Sequence, residues 1–301
     1  MRRARLVFLL GSGRCGSTLI AQVLAHHADV GFISNIDDRV APLNLSGRAN
    51  NRIYRALPRG RRRLGGVRAG VAPGFGLTPS EGYRLLDRQV SPLLSAPCRD
   101  LVAADGHPWL ADRLQHFFEG RATAQRRSVF MHKFTGWPRA GLLHRVFPDA
   151  RFVHVVRDGR AVASSLIQQR WWPGYAGPSG WTFGELSADD ARIWAESGQS
   201  FAVLAGLEWK ILMDAFTRAR DSVSAECWLE LRYEQVVQNP HEAFKLLLDH
   251  AGLAWTAEFE RDFSRITWES TRRDAYLNEL SSQELNWLEG ALGPVLRRLG
   301  Y

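Results

Sequence analysis

Three glycine residues separate a run of five apolar residues from a set of apolar residues at helical spacing: Gly11, Gly13 and Gly16. The apolar run, Leu6–Leu10, predicts a buried strand, and the apolar spacing over residues 19–24 predicts a helix. A glycine-rich loop between a strand and a helix can bind an anion, because glycine lets backbone N–H groups converge and the helix N-terminus carries partial positive charge. The segment therefore indicates a site for a phosphate group or a similar anion.

Three known motifs fit this loop. Its glycines match the dinucleotide fingerprint GxGxxG, and Asp37 lies at about the distance where that fold binds a ribose. Residues 11–18 also match a Walker A loop, except that Ser17 stands where that loop has its lysine, so a kinase would need another cation such as Arg14. Residues 14–18, Arg-Cys-Gly-Ser-Thr, are similar to the 5′-phosphosulfate loop of sulfotransferases of the Golgi type. The loop alone does not choose among the three.

A second candidate site lies in residues 155–165. A predicted strand brings Arg157 to its carboxyl end, and the helix that follows turns Ser165 toward it. A guanidinium group and a hydroxyl group together can bind a phosphate group. A donor with phosphate groups at the 5′ and 3′ positions of one ribose requires a second site of this kind, whereas a kinase or a dehydrogenase does not.

With these two motifs the chain resembles the sulfotransferases that use 3′-phosphoadenosine-5′-phosphosulfate (PAPS). The 3′-phosphate motif of that family pairs an arginine after a strand with a serine eight residues later, and Arg157 and Ser165 match it. The resemblance extends to Lys133, to the segment 232–240 with its Arg-Tyr-Glu, and to Leu-Gly-Tyr at 299–301, which is common in bacterial members. Residues 46–125 show no resemblance to the family and are expected to be a variable insertion that contributes to acceptor binding.

The resemblance implies a role for each of these residues. The donor-binding set comprises the loop, the second site and one tyrosine expected to stack on adenine: Gly13, Arg14, Cys15, Gly16, Ser17, Thr18, Arg157, Ser165 and Tyr233. Arg14 and Lys133 are expected to neutralise charge on the sulfuryl group and the bridging oxygen.

The proton acceptor is less clear, because the histidine base of the cytosolic members is missing from its usual place. Tyrosylprotein sulfotransferases use a glutamate two residues before an arginine, downstream of the first helix, and Asp37 occupies a similar place here. Asp37 is therefore the expected base. Asp38 and His132 are the alternatives.

Composition and motif content indicate which classes of ligand and partner to expect. The chain has 301 residues and a formal net charge of +8, which fits anionic ligands. It contains no nucleic-acid-binding motif, so no nucleic acid is expected as a partner. Three widely spaced cysteines without a CxxC motif predict reduced thiols in a cytoplasmic protein and no metal site. No apolar stretch is long enough for a transmembrane helix.

The order of elements predicts one α/β domain over residues 1–301, a P-loop-type three-layer fold with a central parallel sheet flanked by helices. Strands are expected in five segments: 6–10, 29–34, 128–133, 151–156 and 228–232. Residues 46–80 are expected to be an irregular surface loop with an arginine cluster at 59–63, and 97–109 a connecting loop. The aromatic stretch 171–181 is interpreted as a lid or a wall of the acceptor pocket.

The sequence thus predicts a sulfotransferase that moves a sulfuryl group from PAPS to a hydroxyl or amine group. The acceptor is expected to be a small molecule, a sugar or a lipid. Three alternatives remain: a P-loop kinase that uses ATP, a dinucleotide-binding oxidoreductase, and a nucleotide-binding module without catalysis. The last alternative, a binding module without catalysis, would apply if Lys133 and Asp37 faced away from the loop.

Overall fold

A computed structural model of the chain describes residues 4–57, 63–64, 77–268 and 272–301. The strands are β1 (Arg5–Gly11), β2 (Val30–Phe32), β3 (Arg63–Leu64), β4 (Val129–Thr135), β5 (Arg151–Val156), β6 (Trp228–Arg232) and β7 (Thr267–Trp268). The helices are α1 (Ser17–Leu24), α2 (Asn35–Arg39), α3 (Asn50–Ala56), α4 (Tyr83–Gln89), α5 (Pro108–Gln125), α6 (Ala140–Val146), α7 (Gly159–Ile167), α8 (Ala188–Glu196), α9 (Phe201–Asp221), α10 (Tyr233–Gln238), α11 (Pro240–Ala251), α12 (Ala257–Phe263), α13 (Tyr276–Glu279) and α14 (Ser282–Leu299).

Five parallel strands form the central sheet in the order β2-β4-β1-β5-β6. The order places β1 in the middle, with Leu9 between Lys133 of β4 and Val153 of β5. The loop that follows β1 therefore lies at the centre of the carboxyl edge of the sheet, where open α/β sheets bind their ligands. Strands β3 and β7 form a separate parallel pair.

Helices cover both faces of the central sheet. Alternate side chains of β1 point to opposite faces, so Phe8 and Leu10 enter one apolar cluster while Val7 and Leu9 enter the other. The first cluster packs against α5, α6, α7, α9 and α14, and the second against α1, α11 and α12. This three-layer arrangement confirms the fold class predicted from the sequence.

Residues 46–125 contain more regular structure than the sequence analysis predicted. Helix α3 forms where an irregular loop was expected, and it is held by buried amides. Asn51 Nδ2 donates to the carbonyl oxygens of Ala25 and His27 at 3.1 and 2.9 Å. The prediction was therefore wrong for residues 50–56, because buried side-chain amides fix the backbone there. The arginine cluster at 59–63 lies outside the described residues, except that Arg63 belongs to β3.

Helix α9 has 21 residues and carries a buried carboxyl group. Glu208 is 2% exposed and accepts a hydrogen bond from Trp172 Nε1 at 2.6 Å. Burial raises the pKa of Glu208 to about 8. The contact ties the aromatic stretch 171–181 to the core, while Trp171 of that stretch stays exposed. In the described ranges no helix combines the length and apolar character of a membrane span.

Candidate functional site

The loop between β1 and α1 turns through left-handed backbone conformations. Gly13, Arg14 and Gly16 have φ values of 85°, 53° and 93°. At Gly16 a Cβ atom would also lie 2.4 Å from the Tyr233 ring, so two independent constraints require glycine. Gly16 is the N-cap of α1 and offers no side chain to the first-turn N–H groups. These N–H groups are therefore directed at whatever lies in the loop.

Cys15 differs from its neighbours in the loop. Its side chain is fully buried, and a Cβ atom added to Gly11 would lie 2.4 Å from its Sγ atom. The thiol therefore packs beneath the loop, within the apolar cluster that also contains Val153 and Val155. This placement leaves the backbone N–H as the group that Cys15 can offer to an anion.

Lys133 reaches the loop from β4. Its Nζ atom donates to Thr18 Oγ1 at 2.8 Å and lies 2.8 Å from Oε1 of Glu81. Lys133 is 3% exposed, so its charge acts where little water screens it. Lys133 and Thr18 are both among the site residues predicted from the sequence, and the structure brings them together. Glu81 is not among the predicted residues.

Glu81 comes to this position through a long-range backbone contact. Ser34, just after β2, forms an antiparallel bridge with Pro79. Ser80 N donates to Ile33 O, and Asn35 N donates to Thr78 O, both at 2.9 Å. The segment before Glu81 therefore runs beside the carboxyl end of β2, which places the carboxylate at the edge of the sheet next to Lys133. Nothing in the local sequence around Glu81 signals this position.

The carboxylate of Asp37 accepts three hydrogen bonds from groups within the protein. Its Oδ2 atom accepts hydrogen bonds from the backbone N and the hydroxyl of Ser34, both at 2.8 Å, and from Asn50 Nδ2 at 2.5 Å. The Ser34 contacts form the capping box of α2, and Asp37 is 4% exposed. These contacts favour a structural role over the role of base expected from the sequence.

The two alternative bases also have structural surroundings. Asp38 Oδ1 accepts the backbone N–H of Leu85 at 3.1 Å, in the first turn of α4. His132 is 2% exposed among Phe8, Phe118 and Phe134, and neither of its ring nitrogens has a hydrogen-bond partner among the described residues. Burial, with nearby arginine and lysine charges, lowers the pKa of His132 to about 3. The imidazole is therefore neutral and enclosed.

Arg157 and Ser165 both contact the loop through Arg14. Arg157 Nη1 donates to the carbonyl oxygen of Arg14 at 3.0 Å, and Nη2 donates to that of Arg272 at 2.6 Å. Arg14 Nε donates to Ser165 Oγ at 2.9 Å. The Arg157 guanidinium carbon lies 4.5 Å from the centre of the Tyr233 ring. Two motifs more than 140 residues apart therefore form one site.

Positive charge accumulates at this second site. Burial lowers the pKa of Arg14, and the charges of Arg157 and Arg272 lower it further. Arg272 pairs with Glu279 at 3.2 Å, but among the ion pairs of the described residues none joins a carboxylate to Arg14 or Arg157. The buried Nε atom of Arg157 has no hydrogen-bond partner there either. Two partly buried guanidinium groups without a counter-charge are suited to an anionic ligand.

Comparison with known proteins relates these features to one family. A family model described as the sulfotransferase family matches residues 7–257. A sulfotransferase of Mycobacterium avium aligns with a TM-score of 0.56 at 16% identity, over 99% of this chain and 77% of that chain. The sulfotransferase domain from the curacin biosynthetic pathway aligns with a TM-score of 0.52 at 14% identity, over 97% of this chain and 99% of that chain. At these identities the two structures show a shared fold.

Proposed function

The chain belongs to the sulfotransferase family, and on this premise we propose that it transfers a sulfuryl group from PAPS to a hydroxyl or amine group of an acceptor. The observation that carries the proposal is the second anion site. Arg157, Arg14 and Ser165 lie together beside a phosphate-type loop, and the two arginines have no carboxylate partner in the described part of the chain. A ligand with one anionic group would use only the loop or only the second site. A 3′,5′-bisphosphorylated nucleotide has two phosphate groups and would use both.

The loop and the second anion site would bind different ends of the donor. The backbone N–H groups from Gly13 to Thr18, with the Ser17 and Thr18 hydroxyls, would hold the 5′ end of the donor. Arg157, Arg14 and Ser165 would hold the 3′-phosphate.

Tyr233 was expected to stack on adenine. It is 4% exposed, and its ring already covers Arg157 and abuts Gly16. These contacts favour support of the pocket over stacking on a base.

Lys133 is proposed to stabilise the transfer itself. PAPS supplies the sulfuryl group: a bond forms between its sulfur and the acceptor atom while the bond from sulfur to the bridging oxygen breaks. The electron pair of the broken bond stays on the bridging oxygen, so negative charge develops on the nucleotide. The ammonium group of Lys133 sits at the loop through Thr18, in a region of low exposure. A charge fixed there favours the transition state over the ground state, because the negative charge grows during transfer. Arg14, which lies inside the loop, would supply a second positive charge.

Glu81 is proposed as the proton acceptor in place of Asp37. Its side chain is 28% exposed, so an acceptor hydroxyl can reach it, and it lies beside the lysine that marks the transfer point. The Asp37 carboxylate is buried in the capping box of α2. General-base catalysis requires a carboxylate within hydrogen-bond reach of the proton it removes, which favours Glu81 on geometry.

The acceptor is proposed to bind between the Lys133 edge and the aromatic stretch, as a small molecule, a sugar or a lipid. Trp137 lies just after β4, and its Nε1 atom donates to the carbonyl oxygen of Thr182 at 2.9 Å. The Trp137 ring lies 6.1 Å from that of Phe183. These contacts bring the chain after the aromatic stretch next to the end of the strand that carries Lys133. Loops on a rigid sheet commonly select substrates in this way.

The donor assignment is tested by thermal unfolding with 3′,5′-adenosine diphosphate, ATP–Mg²⁺, NAD or buffer alone. A ligand of the folded state stabilises by RT ln(1 + [L]/Kd), which is about 2.7 kcal/mol at 100 Kd. We expect the bisphosphate to raise the melting temperature most. Stabilisation by ATP–Mg²⁺ or NAD with none from the bisphosphate would favour a kinase or an oxidoreductase. Binding of the bisphosphate without sulfuryl transfer to any acceptor would favour a nucleotide-binding module.

A further inference from the structure

Glu234 connects the turn that carries Arg157 to a distant part of the chain. Its Oε1 atom accepts the backbone N–H of Asp158 at 3.1 Å. Its Oε2 atom accepts the hydroxyl of Tyr301 at 2.8 Å. Asp158 directly follows Arg157, so one oxygen of Glu234 fixes the backbone that orients the guanidinium group. The other oxygen makes this contact depend on Tyr301.

Tyr301 is fixed on both its ring and its hydroxyl group. The guanidinium group of Arg232 lies 5.0 Å from the ring centre, and Arg232 Nη1 donates to the carbonyl oxygen of Gly300 at 3.1 Å. Burial and the charge of Glu234 raise the pKa of Tyr301, so the hydroxyl stays protonated. It can therefore only donate to the carboxylate, which is a charge-assisted hydrogen bond.

Three consecutive residues thus connect Tyr301 to the site. Arg232 holds Tyr301, and Glu234 holds the backbone after Arg157. Between them, the Tyr233 ring lies under Arg157 and against Gly16. Through the segment 232–234, the position of Tyr301 can therefore affect the position of the Arg157 guanidinium group.

The Asp158 carboxylate does not share this task. It accepts hydrogen bonds from Arg160 N and Nε at 2.9 and 3.1 Å, and from the Tyr276 hydroxyl at 3.3 Å. These contacts cap α7 and bind the side chain of Asp158, not its backbone N–H. Among the described residues, the hydrogen bond to Glu234 is the one that holds that N–H.

We propose that Tyr301 and Glu234 are positioning residues that set the selectivity of the site for a 3′-phosphate. They act through the backbone of residues 157–158 and touch neither the donor nor the reacting atoms. The inference rests on the proposed function, since it takes Arg157 as the group that binds the 3′-phosphate. It predicts that the hydroxyl of Tyr301 affects one part of the nucleotide and leaves the 5′ end unaffected.

The experiment compares the Kd of 3′,5′-adenosine diphosphate with that of adenosine 5′-monophosphate, by calorimetry on the full chain. Tyr301→Phe keeps the ring over Arg232 and removes only the hydroxyl. We expect the preference for the bisphosphate to fall roughly threefold to tenfold, the range for one hydrogen bond. Glu234→Ala should lower it at least as much, and Glu234→Gln, which keeps an oxygen for the Asp158 N–H, should restore most of it. In the Glu234→Ala background, Tyr301→Phe should add no further loss.

Tyr54→Phe provides the matched control. Its hydroxyl also donates to a backbone carbonyl oxygen, that of Gln22 at 3.1 Å. Tyr54 lies on α3, which packs against the edge strand β2, whereas Arg157 follows β5 on the other side of β1. This substitution should leave the preference unchanged. If Tyr301→Phe lowers the melting temperature and leaves the preference at its original value, the residue is merely structural and the inference is wrong. If the original protein shows no preference for the bisphosphate, the proposed function itself fails. Should Glu234→Ala not fold, Tyr301→Phe alone decides.

Discussion

Lys133 Nζ lies 2.8 Å from Glu81 Oε1, although the two residues lie far apart in the sequence. Only Lys133 belongs to a segment that resembles a sulfotransferase motif. The lysine lies on the central strand β4, two residues before its carboxyl end. The glutamate is positioned by the antiparallel bridge between Ser34 and Pro79. A cation for the leaving oxygen and a carboxylate for the acceptor proton are the two groups that sulfuryl transfer needs beside an anion-binding loop. We therefore expect substitution of either residue to lower turnover.

Glu81→Gln is expected to lower turnover by about 10²- to 10⁴-fold, the usual contribution of a general base. The affinity for 3′,5′-adenosine diphosphate should change little, since an amide replaces the carboxylate without loss of volume. Steady-state kinetics with any acceptor found, together with nucleotide titration, measures both. Asp37→Asn is the comparison, and we expect it to lower the free energy of unfolding more than it lowers turnover. Full turnover in Glu81→Gln, with loss in Asp37→Asn, would return the base to Asp37.

Lys133→Ala is expected to lower turnover by roughly 10²- to 10³-fold while the product nucleotide still binds. Its charge matters most when the bridging oxygen becomes anionic, so removal affects the transition state more than the ground state. Lys245→Ala, on the exposed face of α11, is the matched control and should behave like the original protein. An equal loss of nucleotide affinity and turnover in Lys133→Ala would mean that the lysine only binds.

Gly16→Ala is expected to abolish nucleotide binding and lower the melting temperature. The position has φ 93°, and the added Cβ would meet the Tyr233 ring at 2.4 Å, so both the backbone and the packing resist it. Gly290→Ala is the matched control, because Gly290 lies inside α14 with no atom within 4 Å of an added Cβ. That change should stabilise by up to about 1 kcal/mol through helix propensity. Normal binding by Gly16→Ala would contradict the loop geometry.

The buried carboxyl of Glu208 is expected to make stability depend on pH. Its pKa is about 8 in the folded state against an ordinary value of 4.5, so between these values the folded chain keeps a proton that the unfolded chain releases. The free energy of unfolding should therefore fall as the pH rises from about 4.5 to about 8. Urea unfolding of the original protein and of Glu208→Gln at several pH values measures this. A constant difference between the two proteins across that window would show that Glu208 is not protonated in the fold.

Much of the fold follows from local patterns. The five strands of the central sheet were predicted because each is a short, mostly apolar run, and four of the five end at a glycine or a charged residue. Helix α5 was not predicted, although Leu110, Leu114, Phe117 and Phe118 lie at helical spacing and are buried. Polar and charged residues lie between these apolar positions, so the helical periodicity of the segment is weak.

The candidate site was predictable only where motifs follow strands. The loop, Lys133 and Arg157 each lie at the carboxyl end of a predicted strand, and Ser165 lies about two turns into the helix that follows Arg157, so parallel pairing brings them together. Glu81 and Arg272 depend on long-range contacts that no local pattern encodes. Asp37 has the residue type of a base, but its hydrogen bonds to Ser34 and Asn50 favour a structural role, and no local pattern encodes them.

Arg157 offers the most direct test of the central claim, that this chain binds a donor carrying a 3′-phosphate. The measurement is a pair of titrations of Arg157→Ala, with 3′,5′-adenosine diphosphate and with adenosine 5′-monophosphate. A charge-assisted hydrogen-bond pair contributes about 1.5 to 3 kcal/mol, so affinity for the bisphosphate should fall roughly 10- to 150-fold. Affinity for the monophosphate should stay nearly constant. If both nucleotides lose affinity equally, Arg157 does not bind a 3′-phosphate, and the proposed use of PAPS loses its main support.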